Sequence, residues 1–119
     1  MQDHFRKPAP FSPDVVVAID DVIDLKAQML HCHASQMYEW LPYDGGYLGE
    51  VPEGDAQRLD WLRARQERRD AAVADRFRDQ LIARYGEERG RAIRCAEAFE
   101  VSEYGRGLAD EEVSVYFPE

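Results

Sequence analysis

The sequence predicts an α/β chain, helix-rich, with one or two strands of its own, and three observations carry that expectation. Val15, Val16, Val17 and Ile19 form a short β-branched apolar run, the composition of a strand covered on both faces. From Ile23 onward the apolar residues switch to helical spacing, with Ile23, Ala27, Leu30, Ala34 and Met37 on one stripe. Residues 57–85 then run without glycine or proline, the longest helical signal present.

Taken in order, residues 1–13 hold Pro8, Pro10 and Pro13, which exclude a helix and leave an extended lead-in. Asp3 and His4 pair two metal-capable side chains, short of the three convergent ligands a catalytic zinc needs. Asp20-Asp21 ends the valine run where a helix N-terminus would welcome carboxylates, so the strand is expected to turn directly into a helix. That helix carries the densest chemical cluster, His31-Cys32-His33-Ala34-Ser35-Gln36. Lys26, Met29, His33 and Gln36 follow three-to-four-residue spacing, which puts His33 and Gln36 on one face near the helix end, placed to touch a cleft. The competing reading is a solvated or packing histidine. His31 and His33 diverge by ~200° around a helix, which excludes a shared metal ion without distortion.

Residues 38–55 contain two prolines, four glycines and the aromatics Tyr38, Trp40, Tyr43 and Tyr47. They read as a long aromatic loop that lines a flat-faced ligand or, in the favoured reading, pins the loop to the body or to a neighbouring subunit. Asp55 is a plausible cap for the long helix and Gly86 its stop. The polar stretch around Arg68 marks either an exposed middle or a junction of two helices. Its arginines alternate with Asp60, Glu67, Asp70, Asp75 and Asp79, which favours a solvated, salt-bridged face over a phosphate-binding one. Gly86 to Gly90 makes a turn or short helical link. Ala92 to Val101 is a second strand or a short packed turn. In it Glu97 stands between Ala96, Ala98 and Phe99, where a carboxylate is either buried with a partner or aimed into a site. Gly105 and Gly107 around Arg106 are too little for a nucleotide-binding loop. Asp110-Glu111-Glu112 opens a last short helix, docked by Val113, Val115 and Phe117.

At 119 residues, with 45% hydrophobic and 33% charged residues, the chain suits one globular domain or part of one. A net charge of −9 disfavours a general nucleic-acid surface, whose affinity comes from accumulated Lys and Arg. No apolar run approaches the ~20 residues of a membrane span, and no leader pattern opens the chain, so the expected location is the cytoplasm. Cys32 and Cys95 are too few for a zinc-finger spacing or a disulfide framework, and both are expected reduced, in or near the core. One or two strands cannot close a covered sheet. The valine strand is therefore expected to be an interior member of a larger sheet whose other strands come from missing sequence or a partner.

Val17-Ala18-Ile19-Asp20, a helix with Lys26, His33-Ala34-Ser35-Gln36, and downstream Cys95-Ala96-Glu97-Ala98-Phe99-Glu100 together resemble the C-terminal part of the PIG-L (LmbE-like) deacetylases. The order and rough spacing match across essentially the whole chain, and three motifs in register are more specific than any one. The resemblance implies the C-terminal part of a Rossmann-like α/β sheet domain. It also implies hydrolysis of N-acetyl groups on amino sugars or their conjugates, with zinc polarising the amide and an aspartate as general base. The family takes its ligands and base from Ala-His-Pro-Asp-Asp and His-Pro-Asp-His motifs, and neither occurs here. The chain is thus expected to hold no zinc itself and to be inactive alone. It would meet the substrate only when completed by an N-terminal half, or else associate with itself as a homo-oligomer. His33, Gln36 and Glu97 are the residues expected to border the cleft of the intact protein. The alternative class is a non-enzymatic interaction or oligomerisation module.

Overall fold

The computed structural model describes residues 10–102, 104 and 106–118. Asp3-His4 and Gly105 lie outside the described residues. The described chain is helix-rich with one small sheet. Its elements are β1 (Val15–Ala18), α1 (Ile23–His31), α2 (Leu41–Asp44), α3 (Asp55–Arg76), α4 (Arg78–Tyr85), α5 (Glu87–Ala92), β2 (Ala96–Phe99) and α6 (Asp110–Tyr116). They fall into two compact units, one made of the residues up to Ile19 and from Ala71 onward, the other of Asp20–Asp70.

In the first unit the valine run becomes a strand as expected, and the segment left open between strand and turn becomes its partner. β1 and β2 pair antiparallel, with Val15 opposite Phe99, Val16 opposite Ala98, Val17 opposite Glu97 and Ala18 opposite Ala96. The pairing continues past both ends, where Asp14 N–H donates to the Phe99 carbonyl at 2.9 Å and Ile19 N–H to the Cys95 carbonyl at 3.0 Å. Among the described residues the sheet has these two strands only. Part of the edge of β1 is occupied by a side chain instead of a strand: Ala18 N–H donates to the Tyr85 hydroxyl at 3.1 Å.

Period-two alternation aims Val16, Ala96 and Ala98 at a core with Phe11, Val73, Ala74, Leu81 and Ile93. The end of α3 and α4 supply that core, and the helical signal breaks at Phe77, not near Arg68. Phe77 leaves helical geometry at φ −113°, ψ 30°, and its ring meets Phe11 edge-on at 6.1 Å. The arginine-rich middle stays helical because it is made of good helix formers and holds an i,i+4 pair from Arg63 to Glu67 at 3.0 Å.

Gly86, at φ +83°, turns the chain from α4 into α5 in the region that favours glycine. Gly90 then lies so close to α4 that a Cβ there would stand 2.5 Å from the Ile82 Cα. Arg78 fastens the pair, donating to the carbonyls of Gly90 at 2.9 Å and Ile93 at 2.6 Å. Of the three expected anchors of α6, Phe117 meets Phe99 at 5.2 Å between ring centres, Val113 is half-buried and Val115 is exposed.

In the second unit the step from Asp20-Asp21 is a 3₁₀ turn, Asp20–Val22, leading into α1. Ile23 and Ala27 of the apolar stripe are buried, but Ala34 is exposed, because α1 ends at His31 and the stripe does not continue through Cys32-His33. The 38–55 stretch, expected as a loop, is helical over much of its length: a π-helical turn Gln36–Trp40, then α2, then a 3₁₀ turn Leu48–Glu50. Pro42 sits in the first turn of α2, where its missing N–H is tolerated, and Leu41 N–H reaches back five residues to the Gln36 carbonyl. Cys95 is buried as expected, but Cys32 is exposed, since it stands where the helix has already ended.

Candidate functional site

The chemically dense part of the second unit begins where α1 ends. His31 Nδ1 lies 2.6 Å from the Tyr38 hydroxyl, and His31 Nε2 lies 3.3 Å from the Asp55 carboxylate. Tyr38 is buried, and that burial, reinforced by the Asp55 charge and opposed by Arg58 5.3 Å above its ring, raises the phenol above its ordinary pKa. With Nδ1 accepting from the phenol, the Nε2–H is left to donate to Asp55, so one neutral tautomer is able to satisfy both contacts. The two contacts tie the end of α1 to the π-helical turn and the start of α3.

Beside it, Tyr38 and Tyr47 each lie 6.3 Å from the Trp61 ring. Arg65 stacks 3.8 Å over Tyr47 and 5.3 Å from Trp61, with Glu50 at 3.8 Å. Tyr47, Trp61 and Arg65 border a cavity of about 350 Å³, floored by Leu62 and also lined by Met37, Arg68 and Arg69. Its described lining holds three guanidiniums and no carboxylate. A second charged element lies deeper: Lys26 Nζ meets the buried Asp70 carboxylate at 2.7 Å.

The residues expected at the cleft are placed as follows. His33 and Gln36 are both exposed in the second unit, with Gln36 N–H donating to the His33 carbonyl at 3.0 Å where the helix restarts. Glu97 belongs to the first unit, half-buried on β2 opposite Val17. Sequence reasoning missed the Tyr38–His31–Asp55 arrangement and the arginine cavity. The first gives no signal, because it depends on the π-helical turn. The second was available in the spacing. At ~100° per residue, Trp61, Leu62, Arg65, Gln66, Arg68 and Arg69 share one side of α3, while Asp60, Glu67 and Asp70 fall on the other.

Zinc, which the resemblance implies, can be tested against the donors present. Among the described residues no three His, Cys, Asp or Glu side chains converge to hold a metal ion, and both ring nitrogens of His31 are engaged. The described donors do not fit a zinc centre, and no step is derived through one. Among the described residues no helix is long and apolar enough to cross a membrane. No family model, no curated protein and no solved structure matches the chain.

Proposed function

We propose that this chain is the C-terminal portion of a PIG-L-like deacetylase, part of a Rossmann-like sheet domain that hydrolyses N-acetyl groups of amino sugars or their conjugates. The metal-holding motifs come from another segment, and the chain alone is inactive. One observation supports the reading above others: the two segments that carry the resemblance, around Val17 and around Glu97, are far apart in sequence and form adjacent, paired strands. A chance match of short motifs carries no expectation of such pairing. The helix with Lys26 follows the first of them after one 3₁₀ turn, and His33 and Gln36 are exposed, as residues bordering a cleft must be. The experiment is complementation in zinc buffer with a segment carrying Ala-His-Pro-Asp-Asp and His-Pro-Asp-His. The expected result is acetate release from an N-acetylglucosamine conjugate by the mixture and by neither part alone. Two folded parts that release no acetate together overturn the proposal.

A second reading, a non-enzymatic interaction or oligomerisation module, draws on the exposed rings of Trp40, 57% accessible, and Tyr43, 71% accessible. Aromatic residues of this size are enriched at protein interfaces. Light scattering separates the two: the module forms an oligomer of defined size that Trp40→Ser with Tyr43→Ser dissociates, and a monomer at all concentrations contradicts it.

A further inference from the structure

The geometry points to a binding site for a small organic anion, a phosphate or carboxylate carrying a flat ring, in the cavity between Tyr47, Trp61 and the arginines of α3. The inference is independent of the deacetylase reading, since no residue lining this cavity is one that carries the resemblance.

Charge is the first argument. The chain carries 24 acidic against 15 basic residues, so a guanidinium has carboxylates to choose from. Most arginines take an acidic or carbonyl partner: Arg63 with Asp24 and Glu67, Arg78 with Asp75, Arg91 with Glu87, Arg106 with Glu112. Arg68 and Arg69 have no such partner among the described residues, and both line the cavity. The acidic residues of this part of α3 are turned to the helix's other side, where Asp70 takes Lys26 and Glu67 takes Arg63. An uncompensated pair of guanidiniums beside a third is a site of positive potential, and its planar N–H groups match the oxygens of phosphate and carboxylate.

Shape is the second. The cavity lies within the range of small-molecule sites, which combine apolar walls with a few convergent polar groups. Trp61 offers a ring face, Met37 and Leu62 an apolar floor, and Gln66 a neutral donor and acceptor. Arg65 is already held by stacking on Tyr47 and by Glu50, so it enters pre-oriented. A ring against Trp61 with its anionic group toward Arg68 and Arg69 uses every wall.

The test is a titration of the full chain with phenyl phosphate and, separately, with benzoate, followed by the indole N–H resonances of Trp61 and Trp40. The expected result is a saturable shift of Trp61 with Trp40 unmoved, and weaker binding of phenol and of inorganic phosphate, each of which lacks half the recognition. Arg68→Gln with Arg69→Gln should weaken the anion by roughly tenfold or more. Both side chains are exposed, so the variant keeps the wild-type circular dichroism; the single Arg69→Gln, expected to show a smaller loss, supplies the same readout if it does not. Tighter phenyl phosphate assigns a phosphate ligand, and tighter benzoate a carboxylate. Absence of a saturable Trp61 shift with either anion overturns the inference. So does unchanged affinity in the variants, or binding of poly-glutamate alone, which would give the arginines to an acidic polypeptide.

Discussion

In the sheet-bearing unit Leu81, Val73, Ala74, Ala96 and Ala98 are all but inaccessible, and the buried set is apolar. In the other unit Val22, Leu25, Met29, Trp40 and Tyr43 stand in solvent while the carboxylate of Asp70 is buried. The same chain thus closes an apolar core in one place and, in the other, adds to a smaller buried set at Ile23, Ala27 and Leu62 an ion pair, a phenol–imidazole bond and stacked guanidiniums. Apolar burial is non-directional and tolerant of detail, so it makes a framework. Directional polar contacts fix particular side chains at particular distances, which is what a site requires.

The largest effect expected from this contrast is in the apolar core. Leu81→Ala truncates the largest fully buried side chain of the first unit and should cost about 2–5 kcal/mol, read by urea unfolding; a loss below about 1 kcal/mol would show that the core is not what holds this unit. Next comes the ion pair. Lys26→Met removes the charged donor at 2.7 Å from Asp70 and should cost about 1.5–3 kcal/mol, with Asp70→Asn in the same background recovering part of it; no recovery would mean that the buried charge is not the source.

Smaller again is the phenol–imidazole bond. The fold raises the Tyr38 pKa above the ordinary 10.0, so it favours the protonated phenol. Its contribution is complete below pH 10.0 and is lost as pH rises through the folded value, because the unfolded chain ionises first. Tyr38→Phe should cost about 0.5–1.5 kcal/mol near neutrality and should flatten the alkaline decline seen in melting temperature against pH; an unchanged slope would contradict the assignment. The smallest effect is at the exposed rings. Trp40→Ser should change stability by less than about 0.5 kcal/mol, while any association of the chain weakens; a large loss of stability would place the ring in a core.

How far the sequence disclosed this contrast follows from the same physics. The valine run located β1 and helical spacing α1, because a core-facing residue must recur at the period of its element; a stretch free of glycine and proline located the long helix, and the acidic start at Asp110 the last short one. Apolar periodicity left open whether the polar run near Arg68 is an exposed middle or a junction; the helix runs through it as far as Arg76, and the break at Phe77 falls among apolar residues, where periodicity gives no sign of it. It left Ala92–Val101 undecided because four residues, Ala96–Phe99, are too few to establish a period. The glycines and prolines of 38–55 signalled a loop, yet Pro42 occupies a first helical turn, where it does no harm. His33 and Gln36 are expected together from helical spacing and Glu97 from its apolar neighbours and the resemblance, and the structure describes the first two in one unit and the third in the other. The arginine cavity was missed for a different reason: counting opposite charges along α3 hides their segregation around it.

The difference between framework and site is tested most directly by native-state hydrogen exchange across the chain. The amides of Ile19 and Leu81, which donate to the Cys95 and Phe77 carbonyls, should exchange only with global unfolding, while those of residues 36–50 should exchange through local openings of lower free energy. Equal protection in both units, or a less protected sheet, would contradict the division of labour between them.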